Sequence, residues 1–331
     1  MSSLPADDAA LVHTLLEAWS LAEVRGLARV TGGATNRVYR VESARGLAFL
    51  RVYKRSDRAL AEREHALIAH VREHGLPAVA LRVARNGSTV VEHAGQVCAL
   101  YEPALGEQRR GAELNGPQAS SAGAVLGQIH RALAGLQDVG YLRWTLNWDG
   151  PAWVERLNVV ERAILARPQP SAPELEEGDR WALERLRAQR AWLAHPDCVH
   201  SYRPLAAAQV VHGDYQDANL FFAGDRVSAV IDWEQAAFMP CGYELARAAW
   251  FMFRLERERT GRLFAGYASE SPLDPAALED GARAWGCFAD HHVWPLEEVY
   301  LNANPAARRY IPQVPFRPFQ QVWAELAAGS H

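Results

Sequence analysis

The sequence predicts an α+β chain in two lobes, and three patterns predict it. Short runs of β-forming residues separated by Gly-containing turns crowd residues 1–103. Beyond residue 103, apolar residues recur at helical spacing. One hairpin-like stretch, residues 209–234 (QVVHGDYQDANLFFAGDRVSAVIDWE), interrupts that helical part and carries polar residues at its start and end. The predicted lobes are therefore residues 1–103 and residues 104–331.

Residues 8–19 have helical periodicity and should pack on the first lobe. Arg29 to Val41 places strand-like residues on both sides of Gly32-Gly33, a hairpin whose tip can approach a ligand closely because glycine lacks a Cβ. With Thr35 and Asn36 beside free N–H groups, such a tip suits phosphate. Leu47 to Lys54 reads as a strand. Arg51 and Lys54 are three apart on it, so they point to opposite faces and cannot both enter one cleft. Residues 57–74 form a helix with Leu60, Leu67, Ile68 and Val71 on one stripe, and Glu64 lies within that stripe. A buried acid needs a partner, and the cation that the strand sends into the cleft would supply it. Val79 to Arg85, Thr89 to His93 and Gln96 to Tyr101 complete the antiparallel sheet through Asn86-Gly87 and Ala94-Gly95 turns.

After the boundary, helices are expected over residues 117–136, 152–166, 173–194, 243–264, 275–290, 294–303 and 316–327. Trp144, Trp148 and Trp153 surround a loop with Asp149, and Glu297, Glu298, Arg308 and Arg309 are further residues that could face a substrate. His70 and His74, four apart, lack the flanking acid and third ligand of a metal helix and read as surface residues. His130 reads as packing, and His291-His292 diverge because neighbours on a helix point apart.

Composition narrows the function classes. The chain of 331 residues can bury a large core. It is 49% hydrophobic and 22% charged with a net charge of −4, so no basic surface advertises nucleic acid. Lys54 is the one lysine; arginine does the remaining cationic work. The four cysteines have no CxxC spacing, the N-terminus lacks a signal-peptide core, and no apolar run approaches membrane-spanning length. These features point to a cytoplasmic protein with reduced thiols and no membrane partner.

The chemistry sits in residues 209–234. If Phe222 pairs with Val227, Asn219 falls opposite Val230, and Asp232 shares that face and that end of the hairpin. An amide oxygen and a carboxylate then meet, with Asp214 on the turn before them. Such oxygen ligands suit Mg²⁺, while a carboxylate kept off the metal can orient a hydroxyl and accept its proton. That is the division of labour of phosphoryl transfer, with Asp214 as base and Asn219 and Asp232 as metal ligands.

His212-Gly213-Asp214, Asn219 and Ile231-Asp232-Trp233 together resemble the H-G-D-x-x-x-x-N and I-D-W elements of the aminoglycoside phosphotransferase and choline kinase-like superfamily, which includes homoserine kinases. Gly32 to Tyr39 is similar to its G-G-x-x-N-x-x-Y loop, and Tyr243-Glu244-Leu245-Ala246 to its Y-D-L-A, with Glu for Asp. The resemblance implies a bilobal protein-kinase-like fold. It assigns Arg51, paired with Glu64, as the phosphate-holding cation, where many members carry Lys. It also implies a loop of Gly32, Gly33, Thr35 and Asn36 over the phosphates, and a hinge whose backbone from Glu102 to Ala104 meets adenine. Glu244 would brace the catalytic loop. The implied activity is ATP- and Mg²⁺-dependent phosphorylation of a hydroxyl on a small molecule such as homoserine, an amino alcohol, a sugar or an aminoglycoside. The alternatives are a bacterial Ser/Thr protein kinase of the same fold and a catalytically silent nucleotide-binding module.

Overall fold

The computed structural model describes residues 6–21, 23–30, 36–93, 95–137, 141–143, 149–167, 173–311 and 315–328. Its elements begin α1 (Ala6–Leu16), β1 (Val24–Arg29), β2 (Arg37–Ser43), β3 (Gly46–Val52), α2 (Arg58–Glu73), β4 (Val91–His93), β5 (Gln96–Tyr101), β6 (Glu107–Gln108) and α3 (Gly116–Leu133). They continue with β7 (Leu142–Arg143), α4 (Gly150–Leu165), α5 (Pro173–Leu193), β8 (Ala208–Val211), β9 (Leu220–Ala223), β10 (Arg226–Val230) and β11 (Ala237–Pro240). The last are α6 (Cys241–Phe253), α7 (Arg257–Ala268), α8 (Pro275–His291), α9 (Trp294–Tyr300) and α10 (Phe319–Ala328). No helix among the described residues is long and apolar enough to cross a membrane.

The chain forms two compact units. The first comprises Met1–Leu142, Val210–Ala237 and Gly261–Pro272. Its five-stranded antiparallel sheet has the order β1-β2-β3-β5-β4. Alternation along β2 and β3 sends Tyr39, Val41, Ala48, Leu50 and Val52 into a core completed by Val12, Leu15 and Trp19, so the N-terminal helix packs on the sheet as expected. Helix α2 starts at Asp57, whose carboxylate accepts the Leu60 N–H at 3.0 Å. It buries Ala61, Glu64, His65, Leu67, Ile68 and Val71. A second sheet, β10-β9-β6, holds the central hairpin.

The second unit comprises Arg143–Gln209, Phe238–Thr260 and Leu273–His331. It is helical around a core that includes Leu157, Val160, Leu186, Leu193, Leu296 and Ile311.

Three expectations need correction. Val79 to Arg85 is not a strand. Its N–H groups are divided among separate partners, Val79 to the Val230 carbonyl, Arg82 to Leu100, Ala84 to Ser88 and Arg85 to Ala18, so no ladder accumulates. The expected strand from Thr89 shortens to β4 because the Ser88 hydroxyl bonds both backbone groups of Val90 in a local turn. The helix expected over 243–264 is two helices. Arg254 and Leu255 take positive φ angles of 52° and 60°, which end α6 before α7 begins.

Candidate active site

The hairpin forms with one change of register. Val227 pairs with Phe222 as predicted, but a bulge between Val227 and Ala229 shifts the rest, so Val230 lies opposite Leu220. Asn219 therefore faces Ile231, whose N–H donates to the Asn219 carbonyl at 3.0 Å, and not Val230. Asp232 does not continue the strand. At φ 67° and ψ 60° it is left-handed, so its side-chain direction is set by this kink and not by strand alternation.

Asp214 is held from three sides. Its backbone N–H donates to His212 Nδ1 at 3.1 Å. Gln216 Nε2 donates to one carboxylate oxygen at 3.0 Å and Asn219 Nδ2 to the other at 2.8 Å. The Asn219 amide nitrogen is thus committed, also bonding the Asp214 carbonyl at 2.8 Å, and Oδ1 is the end left for a ligand. His212, fully buried, lies 3.0 Å through Nε2 from the Ile231 carbonyl. With Nδ1 accepting, Nε2 carries the proton and donates. One imidazole thereby links the backbone of Asp214 to the residue before Asp232, a positioning role the sequence did not reveal. Gly213 (φ 81°) lies against the same turn: a Cβ there would sit 1.8 Å from the Gln235 carbonyl oxygen.

Arg51 and Glu64 pair at 3.0 Å, the pair the family resemblance implied, and both are buried. The same guanidinium meets Asp232 Oδ1 at 2.9 Å and also Glu234. Glu234 was not singled out in the sequence; an acid two residues beyond Asp232 was the available signal. Asn36 joins the group, its Nδ2 donating to Glu234 at 2.6 Å and its Oδ1 accepting the backbone N–H of the exposed Lys54 at 3.0 Å. Gly32, Gly33 and Thr35 lie outside the described residues.

Among the described residues, one cation meets three carboxylates here, which leaves this group short of positive charge. Burial, with Asp232 and Glu234 competing for Arg51, pushes the Glu64 carboxyl up to about 7. Glu64 also accepts from the Tyr53 hydroxyl at 3.0 Å. That hydroxyl lies 3.1 Å from His65 Nε2 and 3.0 Å from the Tyr101 hydroxyl, and His65 Nδ1 lies 2.8 Å from Thr89 Oγ1. Burial lowers His65 to about 4 and raises both tyrosines. This network behind the Arg51–Glu64 pair is invisible to sequence periodicity.

At the end of β5, the Glu102 N–H bonds the Ala80 carbonyl at 2.8 Å and the Glu102 carboxylate takes Arg82 at 2.7 and 2.8 Å. Among the described residues, neither the Glu102 carbonyl nor the Ala104 N–H has an intramolecular partner.

Other residues considered from sequence have structural duties. His70 bonds the Ala132 carbonyl, and His130 lies 2.9 Å from the Tyr267 hydroxyl. Asp149 caps α4, Arg308 meets Asp179 at 3.3 Å, and Glu298 accepts from Asn302 and Asn304. Glu297 pairs with Arg156, whose guanidinium lies 4.1 Å from the centre of the Trp153 ring. Glu244 is fully buried in α6. Trp144 and Trp148 lie outside the described residues, and so does the Arg309 side chain.

The profile of the phosphotransferase enzyme family matches residues 26–290. No curated protein matches the chain. Among solved structures, a spectinomycin phosphotransferase in complex with ADP and spectinomycin is similar at TM-score 0.64 and 14% identity, covering 98% of this chain and 99% of that one. An aminoglycoside phosphotransferase from Alicyclobacillus acidocaldarius is similar at TM-score 0.58 and 14% identity, covering 99% and 97%. An amicoumacin kinase in complex with AMP-PNP, Ca²⁺ and Ami is similar at TM-score 0.55 and 16% identity, covering 96% of this chain and 97% of that one. At these identities the likeness establishes a kinase-like phosphotransferase fold.

Proposed function

We propose, from the premise that this chain belongs to the phosphotransferase enzyme family, that it transfers the γ-phosphoryl group of ATP to a hydroxyl of a small molecule. One observation carries the reading: the Asp214 carboxylate is clamped by Gln216 and Asn219 on the same hairpin whose end puts Asp232 on Arg51. A carboxylate held by two side-chain amides is fixed in orientation, as a hydroxyl-positioning base requires. Its proposed role is to accept the proton of the acceptor hydroxyl as phosphorus–oxygen bond formation proceeds. His212 keeps the base and the Asp232 kink in fixed relation.

The donor set fits Mg²⁺. Asn219 offers Oδ1 because its nitrogen is committed, and Asp232, with 38% of its side chain exposed, keeps one oxygen off Arg51. An amide oxygen and a carboxylate oxygen are ligands that a hard cation takes beside phosphate oxygens. Once bound, Mg²⁺ would neutralise charge developing on the transferring phosphoryl group. Arg51, held by Glu64, would bind phosphate oxygens, with Gly32, Gly33, Thr35 and Asn36 covering them. The Glu102 carbonyl and Ala104 N–H would meet the adenine edge, with the proposed lobe boundary near residue 103. The AMP-PNP, ADP and Ca²⁺ in the solved neighbours support a nucleotide with a divalent ion, and their antibiotic ligands support a small acceptor.

The test is an ATP-consumption screen over hydroxyl compounds, with Asp214→Ala as control. Mg²⁺-dependent turnover of one compound class, lost in the variant, is expected. Labelled phosphate on protein alone would replace this reading with a protein kinase. Tight nucleotide binding without turnover on any acceptor would replace it with a silent module.

A further inference from the structure

We propose that Cys198, His200 and His291 form a Zn²⁺ site in the second compact unit, separate from the phosphotransfer residues and independent of the function proposed for them. The three donor atoms all lie within 4.8 Å of one another. Cys198 and His291 are buried and His200 is half-buried. Cys198 and His200 lie in the segment after α5, separated by Val199, whose N–H is pinned by Gln320 Oε1 at 3.1 Å. His291 is the last residue of α8. The site therefore joins chain segments 91 residues apart.

The hydrogen bonds already select the coordinating atoms. His291 Nδ1 lies 2.6 Å from the Cys287 carbonyl, which can only accept, so Nδ1 carries the proton and Nε2 presents its lone pair. A backbone carbonyl holding the far nitrogen is the outer support that metal-bound histidines characteristically have. That lone pair faces His200 Nδ1 at 2.7 Å. The His200 ring is backed by the start of α4, where a Cβ on Gly150 would lie 2.8 Å from Cε1. Ligand atoms around a tetrahedral Zn²⁺ sit about 3.3 to 3.8 Å apart, given Zn–N and Zn–S lengths near 2.0 and 2.3 Å. The imidazole nitrogens, now 2.7 Å apart, need to part by roughly 0.6 Å and the sulfur to approach by at most roughly 1.3 Å. One thiolate with two imidazoles is a borderline-soft set that favours Zn²⁺ over Mg²⁺ or Ca²⁺.

Binding would form one Zn–S and two Zn–N bonds. The Cys198 S–H proton leaves to solvent, and the His200 proton moves from Nδ1 to Nε2, so one proton is released per ion. Three protein ligands leave one position for water.

The test uses the full chain, stripped with chelator and titrated with Co²⁺ and then Zn²⁺. One equivalent should bind, with the near-ultraviolet thiolate-to-Co²⁺ absorption, and Zn²⁺ should displace it. Zn²⁺ titrated into the stripped protein should release one proton. Cys198→Ser should abolish the absorption. His200→Asn, at a half-exposed position with little risk to folding, should weaken Zn²⁺ binding by about tenfold or more. Asp232→Asn should leave the absorption intact, separating this site from the proposed magnesium ligands. Failure of Co²⁺ to give a thiolate band, its loss in Asp232→Asn, or wild-type Zn²⁺ affinity in His200→Asn would each overturn the proposal.

Discussion

Arg51 shows how a single side chain can be over-committed. Its guanidinium serves Glu64, Asp232 and Glu234 from a nearly enclosed position, so its removal strands a buried carboxylate. Arg51→Met should lower unfolding free energy by about 3 to 5 kcal/mol, read by urea denaturation. Arg51→Lys should recover only part, since an ammonium lacks the planar fork that reaches several acids at once; full recovery would mean that charge alone matters. Asp214→Asn should cut kcat by about 10²- to 10⁴-fold with nucleotide KM nearly unchanged, because the amide keeps the shape but cannot take a proton. His65 gives a pH test. Burial holds its folded-state value near 4 against about 6.5 for an unfolded histidine, so between those values the unfolded chain binds the extra proton. Its contribution is complete above about pH 6.5 and is lost as pH falls through 4, about 3 kcal/mol in all. The stability advantage of wild type over His65→Gln should shrink by that order between pH 7 and pH 4. Glu64 acts in the opposite sense. Its raised value means the folded chain holds the extra proton, so its contribution is complete below about pH 4.5 and is lost as pH rises through about 7.

Elements decide where these residues meet, and here sequence legibility divides. The central hairpin could be anticipated because β-formers flank a Gly-Asp turn and the pairing of Phe222 with Val227 is local. The Arg51–Glu64 pair was partly readable: helix periodicity places Glu64 on a buried face, strand alternation admits only one of Arg51 and Lys54 to it, and the family resemblance chose Arg51. The bulge after Val227 and the left-handed Asp232 were not readable. Both respond to what surrounds the ribbon, including Pro77 and Val79 bonding Val230 from outside it. Glu234 and Asn36, 198 residues apart, meet through tertiary packing that no local period encodes. The break at Arg254-Leu255 was missed because neither residue is a customary helix breaker. The closest approach in the hairpin region is Gly213 against Gln235. Gly213→Ala must push these backbones apart. It should cost both stability and turnover, measured by thermal melts and initial rates, whereas Gly224→Ala, with open space around its Cβ, should cost only the strain of its positive φ, about 1 kcal/mol.

At the scale of the whole molecule, each compact unit is assembled from chain segments far apart in sequence. A boundary placed by the change from strand-like to helical pattern describes local structure; it does not describe which segments pack together. Composition has a practical consequence at this scale. The replacement of lysine by arginine almost throughout leaves the amine of Lys54 as the lone side-chain target for acylating dyes, besides the α-amine. Its backbone is tethered through Asn36 to Glu234, so a fluorophore attached there at alkaline pH would hang from the stretch of chain that Asn36 ties to the acids gripping Arg51. Its emission should change when nucleotide is added, giving an optical titration on the unmutated chain.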